Sequence, residues 1–131
     1  MAATLTVHDE TATGRRMRSF TLSLPAERLT VRELIGHRIR HEVEAYNRAS
    51  PAVFQGLVQP TDTEWVLNGY RMKTRRQLDP EAQVAFALQA FQGNGMIVMV
   101  DDRQVESLDE VVTVTPTTHV RFLKLVPLVG G

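Results

Sequence analysis

Leu5 and Val7 alternate with Thr4, Thr6 and His8, and after the turn-prone run DETATG the same period returns as Phe20, Leu22 and Leu24 against Ser19, Thr21 and Ser23. A period of two sends successive side chains to opposite faces, so these runs predict a β-hairpin with one buried and one wetted face. The period then changes. Val31, Leu34, Ile35, Ile39, Val43 and Tyr46 fall on one stripe at helical spacing, with Arg32, His37, Arg40 and His41 away from it. Thr30 and Glu33 stand ahead of that stripe at capping-box spacing, which marks where the helix starts.

Residues 48–95 are harder to read, because Pro51, Gly56, Pro60 and Gly69 interrupt any period. Within them EWVLNGYRM predicts a short hairpin around Asn68-Gly69. Asp79-Pro80-Glu81 supplies a cap, a proline at the first helical position and an early acid, opening a second helix whose Val84, Ala87, Leu88 and Phe91 share a face. The run GNG at 93–95 ends it. Further on, Val98 and Val100 point one way and Ile97 and Met99 the other, before a turn at Asp101-Asp102. Val120 and Phe122 oppose His119 and Arg121 in a last strand. The predicted core is Leu5, Phe20, Leu22, Leu34, Ile35, Ile39, Val98, Val100, Val120 and Phe122, helix stripe against sheet. No repeat or linker divides the chain, so its 131 residues read as one domain.

Composition narrows the partners. Fifteen basic and fifteen acidic residues cancel, so no whole-molecule field favours nucleic acid or an anionic membrane, and neither is an expected partner. The absence of cysteine removes disulfides, thiolate nucleophiles and cysteine-bound zinc. With no apolar run of signal-peptide or membrane-spanning length, the expected address is cytoplasmic.

Candidate chemistry is sparse. His37 and His41 have a zinc-compatible spacing, but nothing points to a third ligand, so they read as a solvated face with no metal expected. Arg71, Lys73, Arg75 and Arg76 put four positive charges in six residues, which read as an exposed loop, the alternative being a docking patch for an acidic partner or a nucleic-acid backbone. Asp101 and Asp102 read as turn residues rather than paired catalytic acids. There is no Ser/His/Asp set, phosphate loop or dinucleotide fingerprint, so the chain does not read as an enzyme.

Hairpin, capped helix, further strands and a last strand running into Gly130-Gly131 is an element order that resembles the β-grasp superfamily of ubiquitin and the sulfur carriers of molybdopterin and thiamine biosynthesis. MIVMVDDRQVESLDEVV has the strand, turn and return rhythm of ubiquitin, and VPLVGG is similar to endings of the molybdopterin type. The resemblance covers 4–47 in element order and 96–131 in local pattern. It implies an α+β, β-grasp (ubiquitin-like) fold with a mixed sheet packed on a helix. Residues 48–95 would be an inserted helical and loop segment, and 126–131 an extended tail.

The function so implied is a ubiquitin-like modifier whose Gly131 carboxylate is adenylated and joined to a target. The alternatives are a sulfur carrier bearing a thiocarboxylate on Gly131 and a β-grasp interaction module without tail chemistry. Gly130 and Gly131 would be the activation site, with Pro127, Leu128 and Val129 read by the partner. Ile97, Met99, Arg121 and Leu123 would form a docking patch. No cofactor would be bound; ATP and Mg belong to the activating enzyme. A conjugating enzyme, a peptidase and target proteins complete the implied partners.

Overall fold

The computed structural model describes residues 3–49, 51–66, 69–74 and 76–130. Gly131 and Arg75, named above as candidate site residues, and Asn68 of the expected hairpin turn lie outside them.

The opening alternation forms β1 (Ala3–Thr11) and β2 (Arg16–Leu24), an antiparallel pair in which Leu5 meets Leu22 and Val7 meets Phe20. A short β3 (Arg28–Thr30) leads into α1 (Val31–Ala49). Its start carries the expected box: the Glu33 amide donates to Thr30 Oγ1 at 3.1 Å, and the Thr30 amide donates to Glu33 Oε1 at 2.9 Å. All six residues of the predicted stripe are buried.

After α1 come β4 (Val53–Phe54), β5 (Thr63–Val66) and β6 (Gly69–Met72), then α2 (Pro80–Gln92). The expected hairpin exists as β5 against β6, and β4 extends it to three strands in the order β4-β6-β5. Among the described residues, 48–95 thus hold the end of α1, this small sheet and α2, which include the hairpin and the second helix expected there. Asp79 caps α2 by accepting from the Glu81 amide at 3.0 Å, with Pro80 at the first turn. The left-handed residue that follows the helix is Asn94, with φ 61°; asparagine tolerates that conformation better than most side chains.

The last third forms β7 (Met96–Val100), β8 (Arg103–Val105), β9 (Val111–Thr113) and β10 (His119–Lys124). β9 pairs with β3. The main sheet has the order β2-β1-β10-β7-β8, with β10 parallel to β1 and antiparallel to β7, so the architecture is α+β with a mixed five-stranded sheet. Nine of the ten predicted core residues are buried in one cluster. Phe20 is the exception. It is half-buried, and its ring lies beside the guanidinium groups of Arg18 and Arg38.

Candidate functional site

Strand β10 ends at Lys124, and the backbone that follows is not free. The Leu125 amide donates to the Gly95 carbonyl at 3.0 Å. Leu128 is buried, and its carbonyl accepts from the Gln59 amide at 2.6 Å; the Gly130 amide donates to the Gln59 carbonyl at 2.9 Å. These two bonds make a parallel bridge between Gln59 and Val129. Gln83 of α2 is 1% exposed and donates its Nε2 to the Gly130 carbonyl at 2.9 Å. The Phe86 ring lies so close to Gly130 that a Cβ there would fall 2.4 Å from Cδ2, which only a residue without a side chain avoids. The expected extended tail is therefore a docked one through Gly130. Pro127 and Val129 stay exposed while Leu128 turns inward.

Beside this segment Thr11, Met17, Trp65, Tyr70 and Lys124 wall a cleft of about 310 Å³. Trp65 is 64% exposed, and Met17, Leu125, Val126 and Val129 are also exposed. On the outer sheet face, Met99 pairs in register with Arg121 and Ile97 with Leu123, which brings the expected patch together, but all four residues are half-buried. Arg121 Nη1 also reaches Glu10 Oε1 at 3.5 Å.

Three residues of the basic run, Arg71, Lys73 and Arg76, are among the described ones. Arg71 sits on β6, exposed and in register with Glu64; Lys73 is exposed; Arg76 donates to the Thr61 carbonyl.

A network of charges lies on the helix side of the sheet. Arg38 of α1 is fully enclosed, its Nη2 donating to Asp9 Oδ2 at 2.6 Å and to Glu42 Oε2 at 3.1 Å. Arg18 pairs with the same two carboxylates, closing a ring of two cations and two anions. The Phe122 ring lies 4.5 Å from the Arg38 guanidinium carbon. Burial alone would raise the Asp9 carboxyl, but the Arg38 and Arg18 guanidiniums outweigh it and hold it below the usual carboxylate range. The same pairing overcomes burial at Arg38 and raises its pKa, keeping it charged.

Sequence reasoning missed this ring, although a signal was present: Arg38 and Glu42 occupy positions on the apolar stripe itself. On the outer face His8 Nε2 lies 2.8 Å from His119 Nδ1, and its other nitrogen lies 2.6 Å from Ser19 Oγ. Burial first, then the nearby Arg16, His119 and Arg121, lower the His8 pKa against the opposing pull of Glu10. Among the described residues no three His, Cys, Asp or Glu side chains converge as a metal site, and no helix is long and apolar enough to cross a membrane.

Compared with protein-family models, curated proteins and solved structures, the chain matches none.

Proposed function

We propose that this chain is a β-grasp, ubiquitin-like modifier whose Gly131 carboxylate, encoded as the terminus or exposed by trimming, is activated by an adenylating enzyme and transferred to a target. The observation that carries the reading is the placement of β10. It lies inside the mixed sheet, parallel to β1, and runs directly into a segment closing on Gly130-Gly131. A carboxylate oxygen attacks the α-phosphorus of ATP, pyrophosphate leaves, and the acyl-adenylate then loses AMP to a thiolate or amine. Glycine suits such a segment because no Cβ obstructs a narrow cleft. The carboxylate, with a reference pKa of about 3.5, is ionised at neutral pH.

The test is ATP–pyrophosphate exchange by a cognate adenylating enzyme with Mg and the full chain as substrate. Exchange with the parent, and none after removal of Gly130 and Gly131, supports the proposal; exchange unaffected by that removal overturns it. A second reading has its own observation, the VPLVGG ending. A sulfur carrier would gain a sulfur-for-oxygen mass change at Gly131 in cells, whereas a modifier would be found in covalent adducts. The interaction-module reading predicts neither.

A further inference from the structure

We infer that the inserted segment carries a peptide-binding groove whose ligand is the chain's own 125–130 segment, and that this groove withholds Gly130 from an activating enzyme until the segment is released. The first half stands on the geometry alone; the second rests on the function proposed above.

The contacts amount to a reading frame. Gly95 anchors the start through Leu125, and the Leu128 side chain packs beside it, its Cδ2 3.5 Å from where a Cβ of Gly95 would stand. Gln59 offers its amide and carbonyl as a strand edge on either side of Val129, whose own side chain faces solvent. At the next position the buried Gln83 amide holds the carbonyl and Phe86 covers the backbone, leaving room only for glycine. The groove therefore accepts an extended peptide of the form leucine, any residue, glycine. Strand-edge bonds supply attraction, and alternate side-chain positions supply selection.

An adenylating enzyme must surround the backbone next to the reacting carboxylate, and Phe86 and Gln83 already occupy one side of it. The main sheet is complete without the segment, since β10 has both neighbours before Lys124. One buried leucine and a few hydrogen bonds form a small contact that can open locally while the core stays closed.

Amide hydrogen exchange on the full chain tests the groove. In the parent, the Gly130 and Gln59 amides should be protected. In Phe86→Ala and Gln83→Leu, which remove groove contacts without altering the tail, and in Leu128→Ser, which alters the tail, both amides should exchange roughly tenfold faster or more. The amides of Val98 and Val120 should keep their protection. Exchange of the parent's Gly130 amide at the free-peptide rate overturns the groove. So does unchanged protection in all three variants, or loss of Val98 and Val120 protection in all three, which would make the segment part of the core.

ATP–pyrophosphate exchange then tests the withholding. Phe86→Ala and Gln83→Leu should raise the rate several-fold. Released tails with an unchanged rate overturn the withholding and leave the groove. Released tails in a chain that no adenylating enzyme accepts leave the groove and remove the modifier reading.

Discussion

Arg38 carries a full charge with no exposed surface, and it is tolerated because Asp9, Glu42 and Arg18 close a neutral ring around it. Removing one member of such a ring strands the others without water, which typically costs about 3–5 kcal/mol. Arg38→Ala should lose stability of that order in urea denaturation at neutral pH. Asp9 adds an acid limit. Its folded pKa is depressed, so its contribution is complete above the unfolded value of about 3.9 and is lost as pH falls through the folded one. Denaturation midpoints should drop over that acid range, and Asp9→Asn should flatten the drop. His8 follows the same sign at milder pH, because its depressed pKa favours the neutral ring when folded. Stability from it is present above about 6.5 and declines below. An NMR titration should place the His8 midpoint under that of a free histidine.

Helix α1 owes its position to two features that can be separated. Its start depends on the Thr30 hydroxyl, and Thr30→Ala should cost about 0.5–2 kcal/mol, the usual range for a lost cap. Its docking depends on the buried stripe. Ile35 has no exposed surface, and Ile35→Ala should cost about 2–5 kcal/mol, against a few tenths were it exposed. Helix α2 packs against α1, and on the surface between them Arg40 Nε pairs with Glu81 Oε2 at 2.8 Å. That pair is open to solvent, so Arg40→Ala should shift the urea midpoint far less than either change on α1.

For the molecule as a unit, the proposed roles of the tail and of the outer patch can be tested apart from folding. Removing Gly130 and Gly131 takes away two hydrogen bonds, from the Gly130 amide to Gln59 and from Gln83 to the Gly130 carbonyl, and no apolar side chain, so the urea midpoint should move little while, under the proposed function, adenylation is lost. Leu128→Ala deletes a buried side chain at a segment that can open on its own, and should cost less global stability than Ile35→Ala. Changing Met99 and Leu123 together to Asp places charge on the half-buried outer face beside Arg121. Weaker binding to the activating enzyme with an unchanged midpoint would mark a recognition surface; loss of the fold would mark that face as structural.

The elements legible in the chain are those set by neighbours in sequence. The alternation of Leu5 to Leu24, the Thr30-Glu33 box, the Asp79-Pro80 start and the turn at Asp101-Asp102 each rest on residues close together in the chain, so their pattern can be read without the rest of the fold. Contacts between distant short segments have no such local cause. Nothing near Val112 announces its pairing with Leu29, and nothing near Gln59 announces Val129. Arg38 was legible as a helical residue but not as a buried one, because its place on the stripe is affordable only once β1 and β2 bring Asp9 and Arg18 to meet it. The same holds at the other end of the molecule. Glycine at 130 is written in the chain, but Phe86 and Gln83, which give that glycine a docked position, reach it only when α2 folds against the sheet, since the free energy of that contact exists only between surfaces the fold has already made.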